Sequence, residues 1–115
     1  MLERELQDGV AQVARLLGYR VFHARPAWTQ KGYRTPVSYD GKGYPDLTLA
    51  GNGRVIFVEL KCGRNVLSAE QAAWLEALRA AGQEAYVWSE REWAEGIVEA
   101  VLRRGTRHEI EPNAA

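Results

Sequence analysis

Asn52 and Gly53 stand between two apolar runs, Asp46-Leu-Thr-Leu-Ala50 and Arg54-Val-Ile-Phe-Val-Glu-Leu-Lys61. Both residue types tolerate positive φ, so an Asn-Gly pair closes a tight hairpin turn. The flanking runs are therefore expected as two antiparallel strands, and this pairing constrains the chain more than any other feature. Counting outward from the turn brings Asp46 close to opposite Glu59. Side chains alternate along a strand, so Glu59 and Lys61 share one face while Val58 and Leu60 point to the other, the expected core.

The rest of the chain supplies layers for that hairpin. Leu6, Val10, Val13, Leu16 and Leu17 recur at helical spacing, predicting an amphipathic helix over 3–17 that Gly18 ends. Tyr19 to Ala24 is a short strand candidate. Arg25 to Tyr44 has no clean period and holds Pro26, Gly32, Pro36, Gly41 and Gly43, which predicts a long loop. Leu67 to Ala81 is expected to be a helix opened by Ser68 and closed by Gly82, Glu84 to Trp88 a strand, and the segment after Ser89 one last helix to about Arg104. Trp74 and Trp88 are expected in the core, with Trp93 packing the last helix down. A helix between the second hairpin strand and the last strand implies a mixed sheet flanked by helices, an α/β fold.

At 115 residues the chain has room for one domain, taken as 1–104, with a weakly structured tail over 105–115. A single cysteine, Cys62, excludes an internal disulfide and fits a reducing cytoplasm. The charged start MLERELQD does not read as a signal peptide, and no apolar run approaches the ~20 residues of a membrane span. The net charge is zero, but its distribution is uneven. Between Gly9 and Tyr39 there is no acid, against Arg15, Arg20, Arg25, Lys31 and Arg34. A balanced sum can hide a basic face able to meet a phosphate backbone.

Two carboxylates forced together repel unless a proton or a cation sits between them. Mg²⁺ suits such a pair, because it takes oxygen ligands and keeps several waters, and the Leu60 peptide carbonyl offers another oxygen. Lys61 stands where it can stabilise charge developing on a phosphate. The competing reading of Glu59 and Lys61 is an exposed ion pair worth under ~1 kcal/mol. The apolar stretch around Glu59 argues instead for a central strand.

The ordered set Gly43-Tyr44-Pro45-Asp46-Leu47, Val58-Glu59-Leu60-Lys61 and Leu67-Ser68-Ala69-Glu70-Gln71 resembles the PD-(D/E)XK nuclease superfamily, and within it the VRR-NUC family, over about Glu3 to Trp88. The resemblance implies a restriction endonuclease-like core of about four strands. It implies Mg²⁺-dependent hydrolysis of DNA, with Mn²⁺ able to substitute, on branched or junction substrates. It also implies a homodimer and a phage or prophage setting, hence a bacterial cytoplasm. Asp46 and Glu59 would be metal ligands, Lys61 the catalytic lysine and Gln71 the helical glutamine. A first-helix glutamate would complete the site: Glu3, one turn before Gln7, is the expected one, with Glu5 the alternative. Ser68 and Gln71 also form a capping box, which explains Gln71 without catalysis.

Trp28, Lys31, Arg34, Lys42 and Tyr44 are substrate-binding candidates, because aromatic rings and cations mixed on a loop suit nucleic acid. Arg64, following the second hairpin strand, is a further candidate to hold a phosphate, although a polar turn explains it equally well. His23 is expected to be structural or at the rim of the cleft, and His108 a tail residue. The alternative function is a catalytically silent nuclease fold that binds DNA without cutting it.

Overall fold

A computed structural model of the chain describes residues 1–24 and 27–106. Arg25 of the basic stretch, and the tail from 107 onward with His108, lie outside the described residues. The elements run α1 (Glu3–Leu16), β1 (Arg20–Phe22), β2 (Ala27–Thr29), β3 (Gly32–Arg34), β4 (Leu47–Gly51), β5 (Arg54–Leu60), α2 (Ala69–Ala80), β6 (Glu84–Trp88), α3 (Glu90–Ala94) and α4 (Ile97–Arg103). The main sheet has four strands in the order β1-β4-β5-β6, antiparallel except for the β5–β6 pair. This is the mixed sheet between helices that the sequence predicts.

The hairpin turn forms as expected, with Asn52 at φ 52° and Gly53 at φ 73°. Asn52 does a second job: its side-chain amide donates to the Leu17 carbonyl at 2.9 Å and ties the end of α1 to the turn. The register pairs Leu47 with Val58 and Gly51 with Arg54, which continues one step outward to Asp46 beside Glu59. Leu47, Leu49, Ile56, Val58 and Leu60 are buried on one face against Leu6, Val10 and Ala14 of α1 and Val98, Val101 and Leu102 of α4. Helix α2 covers the opposite face, and its Leu75 is buried there.

Arg54, which the sequence reading did not single out, clamps the far end of the sheet. Its guanidinium forms a two-pronged pair with Glu84 at 2.7 and 2.8 Å and also donates to the Tyr19 hydroxyl and the Val101 and Arg104 carbonyls. One side chain thereby joins β5, β6, the start of β1 and the end of α4. The fork geometry of a guanidinium is what permits so many directed bonds at once.

Three expectations are corrected. The last helix is two helices, because Gly96 adopts φ 76° and ends the run after Ala94. The stretch after Pro26 is not all loop: β2 and β3 pair as a separate hairpin, Trp28 opposite Tyr33. Thr106, assigned to the weakly structured tail, is buried and its hydroxyl donates to the Arg103 carbonyl at 2.7 Å. Trp88 is buried as expected, and Trp93 packs α3 against α1, so closely that a side chain on Gly9 would meet its ring at 2.9 Å. No helix among the described residues is long and apolar enough to cross a membrane.

Candidate active site

Glu59 lies near the end of β5 with 2 % of its surface exposed. Its side chain points away from the Val58 and Leu60 face, as the strand period requires. Asp46, immediately before β4, is half-buried beside it. One Asp46 carboxylate oxygen accepts from the Leu60 amide at 2.8 Å, which turns the carboxyl group across the strand pair toward Glu59. Along a strand a residue's N–H and C=O leave on the same edge, so the Leu60 carbonyl also faces the Asp46 side. The two carboxyl groups lie close enough to interact.

That contact has an electrostatic consequence. Burial pushes the Glu59 carboxyl up from 4.5 to about 8, and the neighbouring Asp46 pushes the same way. Lys61, its ammonium 3.8 Å from Glu59 Oε2, offsets only part of this. Glu59 therefore keeps its proton to higher pH than an exposed acid does, the expected response of a buried carboxyl beside another with too little positive charge.

Gln71 resolves the choice posed by its sequence context by serving both ends of its amide. Its Oε1 accepts from the Ser68 amide at 2.9 Å, while the Ser68 hydroxyl accepts from the Gln71 amide at 3.2 Å. Its Nε2 donates to Glu59 Oε2 at 3.2 Å. The capping box therefore fixes the rotamer that aims the donor at the buried acid.

Glu3 and Glu5 separate by geometry as well. Glu5 folds back to accept from the Leu2 amide at 3.2 Å and so caps α1. Glu3 is half-buried and close enough for its charge to raise Glu59 further. It does not join Asp46 and Glu59 as a ligand cluster: among the described residues no three His, Cys, Asp or Glu side chains are grouped to hold a metal ion. Asp46 and Glu59 offer two carboxylates, with the Leu60 carbonyl beside them.

A cleft of about 650 Å³ opens beside the pair, lined by Asp46 but not by the buried Glu59, and by His23, Gly43, Tyr44, Gln71 and Trp74 among others. Three contacts that the sequence reading did not anticipate hold its walls. His23 Nδ1 donates to the Asp46 carbonyl at 2.9 Å, fixing the backbone at Asp46. The Trp74 indole, expected in the core, donates instead to the Asp40 carbonyl at 2.7 Å and packs edge-on against Tyr44. Gly43, at φ 85°, brings the loop so close to α2 that a Cβ there would lie 2.6 Å from the Glu70 carbonyl carbon. A glycine placed three residues before Asp46 was the only sequence signal for that approach.

The remaining candidates divide by position. Tyr44 is at the cleft, its hydroxyl 2.9 Å from that of Thr48. Lys42 lines the cleft and pairs with Glu70 at 3.4 Å. Trp28, Lys31 and Arg34 are on the β2–β3 hairpin. Arg64 is exposed in the turn after β5. Cys62 is a buried free thiol, pushed up by burial and by its hydrogen bond to Glu90.

Among known proteins, no family model matches the chain and no curated protein is similar to it at a significant level.

Proposed function

We propose that the chain is a metal-dependent DNA endonuclease that hydrolyses phosphodiester bonds, acting on branched or junction DNA as a homodimer. The observation that carries this reading is the acid pair beside the cleft: Asp46 and Glu59, brought together from adjacent strands, next to an ammonium and an amide donor. Two acids held this close fit a divalent cation, which Asp46, Glu59 and the Leu60 carbonyl would hold through their oxygens. Bound there, Mg²⁺ or Mn²⁺ supplies polarisation of a phosphate oxygen and acidification of a bound water.

The chain's own groups do the rest. The Lys61 ammonium, mostly buried, stabilises negative charge as it builds on the phosphate, and a fixed charge in a water-poor site is worth more there than in solvent. The Gln71 amide holds the Glu59 carboxylate in one orientation. His23 holds the Asp46 backbone. The same arrangement is what the motif resemblance implies. Two-fold pairing of such small domains places two clefts on one symmetric substrate, which suits a four-way branch.

The test is nicking of supercoiled plasmid, and cutting of a panel of branched, flapped, single-stranded and duplex DNAs, in Mg²⁺, Mn²⁺ and EDTA. The wild type is expected to cut only with metal, and Lys61→Ala to lose about a hundredfold or more while keeping its fold. Binding without cleavage in either metal would replace this reading with that of a silent DNA-binding module.

A further inference from the structure

The β2–β3 hairpin leaves the main sheet from the rim of the cleft. Ala24 and Thr35, the residues that flank it on either side, both line the cavity above Asp46 and Gln71. Its two aromatic residues face each other across the pair, Trp28 opposite Tyr33, with ring centroids 5.1 Å apart and planes at 75°. Trp28 is 73 % exposed and Tyr33 66 %. Trp28 and Tyr33 are absent from the hydrophobic core and from the partly buried residues packed against it. A two-stranded hairpin on its own is marginal in water, and large aromatic surface left in solvent marks an interaction site. The hairpin also carries Lys31 and Arg34, within the run from Gly9 to Tyr39 that has no acidic residue.

From this we infer that the hairpin is a stacking arm that takes unpaired bases of a DNA strand whose backbone crosses the cleft. The charge decides between occupants. A second copy of the same hairpin would bring like charges together, whereas a nucleic-acid strand presents flat rings to the aromatics and phosphates to the cations. Base faces within a duplex are already stacked, so the arm selects strands with unpaired nucleotides. Each arm of the hairpin is three residues, which spans about 10 Å, or roughly three nucleotides at 3.4 Å per strand. The scissile phosphate then lies a few nucleotides from the stacked base. This inference rests on the nuclease reading only for the word scissile. It narrows the substrate to DNA with a single-stranded portion next to the cut.

The experiment is fluorescence anisotropy with labelled single-stranded, flapped and blunt duplex DNA, in EDTA so that nothing is cut, comparing wild type, Trp28→Ala, Trp28→Phe and Tyr33→Ala. Trp28→Ala is expected to weaken binding to the single-stranded and flapped DNAs by tenfold to a hundredfold, about the loss of one base–ring stack, with duplex binding unchanged and Trp28→Phe close to wild type. Equal loss on duplex and flap, or no loss on either, overturns the proposal. So does a change of oligomeric state in Trp28→Ala by sedimentation, which would make the arm a contact between copies. Because binding is read without metal, a wild type that cuts nothing in the nicking assay leaves this result standing. Conversely, cleavage that keeps its preference for flaps in Trp28→Ala sinks the arm and spares the nuclease.

Discussion

Glu59→Gln should make the protein more stable at alkaline pH and inactive at every pH. The wild-type carboxyl is raised from 4.5 to about 8, so the folded protein holds a proton that the unfolded chain releases. The stabilising contribution of that proton is complete below pH 4.5. It is lost as pH rises through about 8, where folding must bear the cost of a buried charge next to Asp46. A shift from 4.5 to about 8 corresponds to at most about 5 kcal/mol. The cleft opens to water on one side, and screening leaves about 2–4 kcal/mol.

Glutamine fills the same space with no charge at any pH. Its Oε1 can accept from Gln71 as Glu59 does now, and its Nε2 offers Asp46 a donor in place of a second charge. Urea denaturation at pH 5.5, 7 and 9 is the assay. Wild-type stability should fall by about 2–4 kcal/mol across that range, while the variant stays nearly flat and overtakes the wild type by pH 9. Adding Mn²⁺ at pH 9 should recover stability in the wild type alone, since only there does metal binding relieve a paired charge. Parallel pH profiles for the two proteins would refute the reasoning, because they would mean that Glu59 is not the group paying for its burial.

Gln71→Glu should keep α2 capped, because a carboxylate oxygen can still accept from the Ser68 amide. It loses the donor to Glu59 and adds a third acid, so cleavage should drop more than tenfold and its pH profile move upward, with circular dichroism unchanged. Gly43→Ala should cost about 1–3 kcal/mol from its φ of 85° alone. Because the added carbon meets the α2 backbone at 2.6 Å, metal-dependent cutting should fall with stability, measured on the same samples. Arg54→Met breaks the clamp at the far end of the sheet and strands Glu84, which Arg54 holds below the usual carboxylate range. It should destabilise by about 3 kcal/mol in urea and leave DNA binding per folded molecule unchanged. The Glu84 contribution is present at neutral pH and lost as pH falls through its lowered value, so the wild type and this variant should converge in stability on acidification.

What was legible in the sequence follows from the range over which each signal acts. Asn52-Gly53 sets a register by local turn chemistry, and a period of two then places Glu59 and Lys61 on one face, so the acid pair could be located by counting. Apolar spacing and caps marked α1 and α2 within two residues, because helix ends are set by neighbours in the chain. Gly96 carried a local signal that the reading of one helix to about Arg104 did not use, although a residue at φ 76° cannot lie within a helix. The β2–β3 hairpin was missed because Gln30 and Lys31 are not turn residues of the strong kind and its strands have no apolar face to bury.

Trp74 and Arg54 show a different limit. Their roles depend on which loop and which helix end arrive beside them, and that is decided by the packed fold rather than by the chain around them. Gln71 lies between these cases. A capping box is readable as a local motif, but the same amide reaches Glu59 only where α2 packs beside β5, next to the point at which Gly43 lets the loop approach the α2 backbone. The acid pair is thus written in the hairpin, whereas the donors that make it chemically useful are delivered by tertiary packing. Damage to that packing at Gly43 should therefore silence the site without touching any residue in it.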